Sequence, residues 1–430
     1  MREPKLEMQI SRPSRPALVR SEALWVAATA ILLCSCASDS GGGAASSGEV
    51  GSGEASSSAA DFGSGDASSV GEAATGAATD GETGRGESSS GESSSGEPID
   101  PNGTVLCELA ASMQPGSWDE LPVLDMDSTF LDTGGSNNSI LLYNQSMVWD
   151  PTTRSAYFFG SDHGGLPLSD PNTSFRFVKY DADTNTWTRL PAPPWLIWQG
   201  DEPGRGLYGD GHGYDHLEID PVSRTIYRRI YWGPTMAYDI DTATWDPTPL
   251  TGMEYGCCHG MAFFPERNGL VFNDVGWGSV WLYDTTNDEF STIGTTGQNS
   301  TWAWAEYSSV TETVLIGANS GAEFFTLGAD GDPVSLGVLD KPVYDGTGFN
   351  GVVTVDPVSG GFLFVTAAAD GRQFYSYHVD SNTFTLNPAQ PPAEFVTGGL
   401  AATPIDTCGV TMFIHTTGAK AGTWLYKHDA

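Results

Sequence analysis

From about residue 104 onward, apolar and polar positions alternate in short runs broken by polar turns, the period of half-buried strands, and no stretch holds a helical spacing. One pattern recurs. Tyr180-Asp-Ala-Asp-Thr-Asn-Thr-Trp187-Thr-Arg-Leu-Pro191 reads as an aromatic strand end, a polar turn and a second strand opening on tryptophan. Tyr238 to Trp245 repeats it closely, Tyr283 to Phe290 and His378 to Phe384 carry Phe for Trp, Leu327 to Val334 is a worn copy, and the copy at Tyr426 stops at Ala430. The missing half stands at the front, where Trp118-Asp-Glu-Leu-Pro122 has the form of Trp187 to Pro191.

A second marker precedes each copy: Asp150-Pro, Asp220-Pro and Asp356-Pro, with weaker forms at Pro265, Ser308 and Asp406, each between two short apolar strands. Proline presets φ and aspartate caps its own backbone, so these are tight turns. One period therefore holds four strands, A to D, in about 44 to 50 residues, and the sequence holds six periods. Four-stranded antiparallel units at that period predict an all-β fold, a six-bladed β-propeller. The strand at Trp118 is left over to complete the last blade beside Thr423 to Lys427, which closes the ring and leaves no open edge.

The Tyr-Asp-x-x-Thr-Asn-Thr-Trp-x-x-Leu-Pro element resembles that of kelch-repeat propellers and the galactose oxidase superfamily, over about Ser117 to Ala430. The double glycine usual in kelch blades is approached only at Gly164-Gly165. An oxidase of the galactose oxidase kind implies a Tyr–Cys crosslink and a Tyr-His pair over copper. Tyr377-His378 is such a pair in letters only, inside a strand, so no cofactor is expected.

Composition divides the 430-residue chain into three. Residues 1–36 are a basic start and an apolar run, Ala23 to Leu33, of secretory length, and Leu33-Cys-Ser-Cys36 resembles a bacterial lipobox with Cys36 as the acylated residue. Residues 37–103 form an acidic Gly/Ser/Glu-rich tether with too little apolar surface to order itself, and residues 104–430 form the propeller. The net charge of −35, of which about −26 falls on the propeller, disfavours nucleic acid and anionic lipid as partners. A monomer in the bacterial cell envelope is expected, meeting a membrane only through its lipid. The residue after Cys36 is not the aspartate of inner-membrane retention, so the outer membrane is favoured.

In an exported chain cysteines tend to pair. Cys107 precedes the closing strand and Cys408 sits in the A–B turn of the same blade, so a Cys107–Cys408 disulfide is expected to pin the closure. Adjacent Cys257 and Cys258 are either a vicinal disulfide or two thiols.

In such blades the D–A and B–C loops share one face, the upper one. The strand order places His163, His212, Asp215, His216 and His259 there, with Trp195, Trp232, Trp277, Trp302 and Trp304, on the longest connections. Imidazoles, indoles and carboxylates together suit a concave binding site. The expected ligand is a glycan or an envelope or extracellular protein, and the expected role is binding. The alternative is an enzyme on the same face, either a metal-dependent oxidoreductase or a carbohydrate epimerase or lyase with His216 or His259 as base near Glu218. His212-Gly-Tyr-Asp215-His216 puts three possible metal ligands within five residues, although strand alternation turns His216 away from Asp215.

Overall fold

A computed structural model of the chain describes residues 103–429 apart from positions 132–139, 142–143, 162–174, 197–212, 232, 254–255, 257–258, 275, 299–301, 319–321, 342, 345–350, 368–370, 397–398 and 418–419. Cys36, the acidic segment, His163, His212, Trp232, Cys257 and Cys258 lie outside the described residues.

The strands form six four-stranded antiparallel sheets, a six-bladed propeller. Blade one is β2 (Met147–Asp150), β3 (Ser155–Ser161), β4 (Phe175–Asp181) and β5 (Thr186–Arg189). Blade two is β6 (Leu217–Asp220), β7 (Thr225–Arg229), β8 (Thr235–Asp239) and β9 (Thr244–Trp245). Blade three is β10 (Gly260–Phe264), β11 (Gly269–Asp274), β12 (Ser279–Asp284) and β13 (Glu289–Thr295), and blade four is β14 (Trp304–Ser308), β15 (Thr313–Gly317), β16 (Glu323–Leu327) and β17 (Val334–Val338). Blade five is β18 (Val352–Val355), β19 (Phe362–Val365), β20 (Phe374–His378) and β21 (Thr383–Leu386). Blade six joins β22 (Leu400–Ile405), β23 (Val410–Thr417) and β24 (Lys420–Lys427) to β1 (Trp118–Leu121).

The closure is the expected one: Trp118 pairs with Tyr426 and Leu121 with Thr423. The Trp118 ring lies 4.9 Å from Tyr426, 4.9 Å from Phe413, 5.1 Å from Phe374 and 5.6 Å from Phe395, and its N–H donates to the Ala389 carbonyl at 3.2 Å. One indole thus holds the first strand to blade six and to its neighbour, blade five.

Two short helices flank β1 where no helix is expected from periodicity: α1 (Val105–Ser112) and α2 (Met126–Phe130). Eight and five residues are too few to display a 3.6-residue period. Thr104 caps α1 by accepting the Cys107 N–H at 3.2 Å, and α1 buries Leu106, Cys107 and Ala110. Cys107 is disulfide-bonded to Cys408 in the A–B turn of blade six, with Cα atoms 5.2 Å apart.

Both repeat markers have a physical cause. In the Asp-Pro turns, Asp150 accepts the Thr152 and Thr153 amides, Asp220 those of Val222 and Ser223, and Asp356 those of Val358 and Ser359. In the C–D turns a tyrosine hydroxyl bonds the residue in left-handed conformation: Tyr180 to Asn185 at 3.0 Å, Tyr377 to Asn382 at 2.9 Å and Tyr283 to Asp288 at 2.9 Å. Asn185 and Asn382 also donate to Pro122 and Leu336 carbonyls in the preceding blade, so the motif ties blades together. Blade two has Ala243 there at φ +53°, with no side chain to bond Tyr238. Left-handed backbone costs an ordinary residue about 1–2 kcal/mol and asparagine less. Ala243→Asn is therefore expected to stabilise the fold by about 0.5–1 kcal/mol, read as a higher urea midpoint at unchanged slope.

Candidate functional site

The inner strands of the blades, β2, β6, β10, β14, β18 and β22, surround the ring axis, and a cavity of about 280 Å³ lies among five of them. Ser146, Asp215 and Leu217 close it at the upper end, all buried. Pro151, Pro221, Pro265, Ser309, Asp406 and Thr407, exposed residues of the A–B turns, form its mouth. This cavity therefore opens on the face opposite the one where histidines and tryptophans were expected to gather.

Three acidic side chains reach it from above and from the walls. Asp215 Oδ2 accepts the Ala305 N–H of blade four at 2.6 Å, and the carboxylate also accepts the Met261 N–H of blade three. This crossing of backbones is possible because residue 260 is glycine: a Cβ there would overlap the Trp304 backbone. Glu218 Oε1 accepts the Ile219 N–H at 2.7 Å, and the carboxylate also meets the Phe263 N–H. Glu306 enters with no hydrogen bond among the described residues and faces the charges of Asp215 and Glu218. Both glutamates are partly open, to the cavity, and enclosed by protein on their other sides.

Burial penalises the charged forms, so all three carboxyls titrate high. Burial lifts Asp215 well above the carboxylate range, with Glu218 adding to it. Burial takes Glu218 to about 8, and burial followed by the charges of Asp215 and Glu218 drives Glu306 well up. Among the described residues no Lys, Arg or His side chain lines the cavity to offset them, whereas Trp149, Phe263 and Tyr307 do line it.

These shifts make stability depend on pH. Glu218 titrates near its ordinary 4.5 when unfolded and near about 8 when folded, so the fold holds the extra proton between the two. Its contribution is complete below pH 4.5 and is lost as pH rises toward 8. His415 acts on the acid side. Burial, with Arg372 adding to it against Glu394, lowers it from 6.5 to about 4, so stability falls as pH drops through that window. The melting temperature is expected to peak at roughly pH 5 to 6.5. Glu218→Gln should recover about 2–3 kcal/mol at pH 8 and nothing at pH 4.5, a figure discounted for its opening to the cavity. A flat alkaline limb in the parent protein would contradict this assignment.

The sequence-predicted residues fall as follows. Asp215 is brought to the cavity, while His216 is not, in keeping with strand alternation. His216 and His259 are fully buried, 6.2 Å apart, with the His259 backbone N–H donating to His216 Nε2 at 3.1 Å. His259 Nε2 lies 3.4 Å from Arg229, and burial followed by that guanidinium holds its ring well below the usual range, hence neutral. Trp302 donates to the Tyr214 hydroxyl at 2.9 Å, and Trp277 stands 70% exposed on the B–C turn of blade three. Trp195 and Trp304 are buried core residues. Cavity residues missed in the sequence are Glu306, Trp149 and Tyr307. The available signal was a glutamate in an otherwise apolar inner strand, as in Ala305-Glu306-Tyr307.

No protein-family model matches the chain, and neither does any curated protein. Solved structures do resemble it. An auxiliary nutrient binding protein from Bacteroides thetaiotaomicron aligns at 12% identity over 69% of this chain and 75% of its own, with a TM-score of 0.46. A structural genomics protein of unknown function from the same species aligns at 14% identity over 72% and 75%, with a TM-score of 0.45. Kuenenia stuttgartiensis hydrazine synthase aligns at 11% identity over 66% and 76%, with a TM-score of 0.42.

Proposed function

We propose that this protein is a kelch-like propeller lipoprotein of the bacterial envelope, anchored through Cys36 in the outer membrane, and that its propeller binds a glycan or an envelope protein. The axial cavity carries this reading. Its volume of about 280 Å³ sits at the lower end of ligand pockets, enough for one ring or side chain. Its walls combine flat apolar faces with a few converging polar groups, and five blades hold them rigidly. Such a void suits the terminal unit of a larger ligand resting on the mouth.

Of the upper-face residues, His163, His212, Trp232, Trp277 and Trp302 remain the proposed second contact, while Asp215, His216 and His259 are buried. Trp277, 70% exposed, is the candidate on this face that a ligand could reach directly. The enzymatic alternative needs His216 or His259 to reach a substrate as base, and both rings are fully buried and off the cavity wall.

The test uses the purified full chain on a glycan array and against immobilised envelope proteins. Ser309→Trp, which obstructs the exposed mouth, is expected to abolish the binding found, and Trp277→Ala to weaken it less. Binding that survives Ser309→Trp and is lost in Trp277→Ala would move the site to the upper face. Labelled fatty acid incorporated by the parent and absent from Cys36→Ser would support the anchor; equal labelling would refute it.

A further inference from the structure

The cavity wall is one-sided in its chemistry. Asp215, Glu218, Glu306 and, at the mouth, Asp406 are acidic, and among the described residues no basic side chain lines the void. Ionised carboxylates only accept hydrogen bonds. Glu306 has no donor of its own among the described residues. Unpaired charges at this depth are costly, so these carboxyls hold protons unless a counter-ion faces them. A neutral sugar can meet protonated carboxyls but brings no charge to replace their protons, so it leaves the cost of ionising them in place. A ligand rich in donors and positive in charge removes both penalties together.

The rings select within that class. Trp149, Phe263 and Tyr307 line the same void, and aromatic faces attract ammonium groups within about 6 Å by their quadrupole, most strongly where water is excluded. Among the described residues, no three acidic, histidine or cysteine groups converge closely enough to ligate one metal ion, which needs its oxygens at about 2.0–2.6 Å. The acids instead surround a void of molecular size.

We infer that the axial cavity binds the ammonium group of a small organic amine, free or as the amino sugar of a glycan, held between Glu218 and Glu306 against the aromatic wall. This rests on the cavity being the ligand site. Occupation replaces protons: the arriving cation favours the ionised carboxylates, and the displaced proton passes through the mouth to solvent. The groups facing the ammonium are Asp215 and Glu218 from blade two, Glu306 and Tyr307 from blade four and Asp406 from blade six. The Tyr307 hydroxyl is occupied with Glu266 at 2.8 Å and stays protonated, its pKa raised by burial and then by that carboxylate.

The experiment is titration calorimetry of the full chain with choline, putrescine and glucosamine, against glucose, N-acetylglucosamine and calcium chloride. Two buffers of different ionisation heat are used, from pH 6 to 9. Choline keeps its charge throughout, so its affinity should rise with pH up to about tenfold per unit while a carboxyl is still protonated, with proton release in the buffer comparison. At least one ammonium compound is expected to bind, at least tenfold more weakly to Glu306→Gln and not at all to Ser309→Trp. Glu306→Gln removes a buried charge and should melt no lower than the parent, and Glu218→Gln gives a second reading if it does. A neutral sugar that binds, is blocked by Ser309→Trp and ignores Glu306→Gln would overturn the ammonium assignment and leave the cavity as the site. Calcium binding with no amine binding would overturn it in favour of a metal. No probe blocked by Ser309→Trp would remove the inference and the cavity reading together.

Discussion

Cys408→Ser is expected to lose about 5 kcal/mol of stability, because the Cys107–Cys408 bond closes a loop spanning 301 residues and so restricts almost the whole unfolded propeller. The urea midpoint should fall accordingly, and reductant should lower the parent to the level of the variant while leaving the variant unchanged. The bond lies in the blade that joins both chain ends, so its loss also frees α1 from the A–B turn carrying Cys408. Unfolding should then begin at blade six. A parent chain indifferent to reductant, with a variant within about 1 kcal/mol of it, would show that the covalent clasp is not what holds the ring shut.

Trp118→Ala attacks the same closure without touching the disulfide. The indole sits partly buried among Phe374, Phe395, Phe413 and Tyr426, and its truncation is expected to cost about 2–4 kcal/mol, somewhat less than for a fully buried ring. Strand β1 then keeps only its four ladder pairs and buried Leu121, so the edge of β24 at Thr423–Tyr426 should open more often. The variant should therefore show concentration-dependent association by light scattering as well as a lower melting temperature. Trp118→Phe keeps most of the packing and should cost about a third as much. The two lesions share one blade, so combining Cys408→Ser with Trp118→Ala should destabilise by less than their sum. Additivity would argue that strand pairing and disulfide hold separate parts of the ring.

The effects on binding run the other way from these effects on stability. Asp215, Glu218 and Glu306 put like charges around an enclosed void, which costs the fold stability above the ordinary carboxylate range. Strain of this kind persists where occupation relieves it. Stabilising Glu218→Gln while weakening ligand capture is the expected trade.

Blade number, strand order and the terminal closure are legible in the residues because each rests on local chemistry. A Tyr-Asp turn ending at Asn185 or Asn382 works through bonds within five residues, and an Asp150-Pro turn through bonds within three. Repeating such units at one period leaves few topologies, and the unmatched Trp118 strand has one place to go. The disulfide follows from the same map. The short helices escaped because their length holds no period. The cavity escaped for another reason: it is made by distance across the ring, which no run of neighbours encodes. Glu218 and Glu306 are 88 positions apart and in non-adjacent blades, and only closure of the ring brings two ordinary glutamates to one cavity. The burial of His216 and His259, by contrast, is invisible in a string of letters. Packing assigned His216 and His259 to the interior, and it left the acids facing the void.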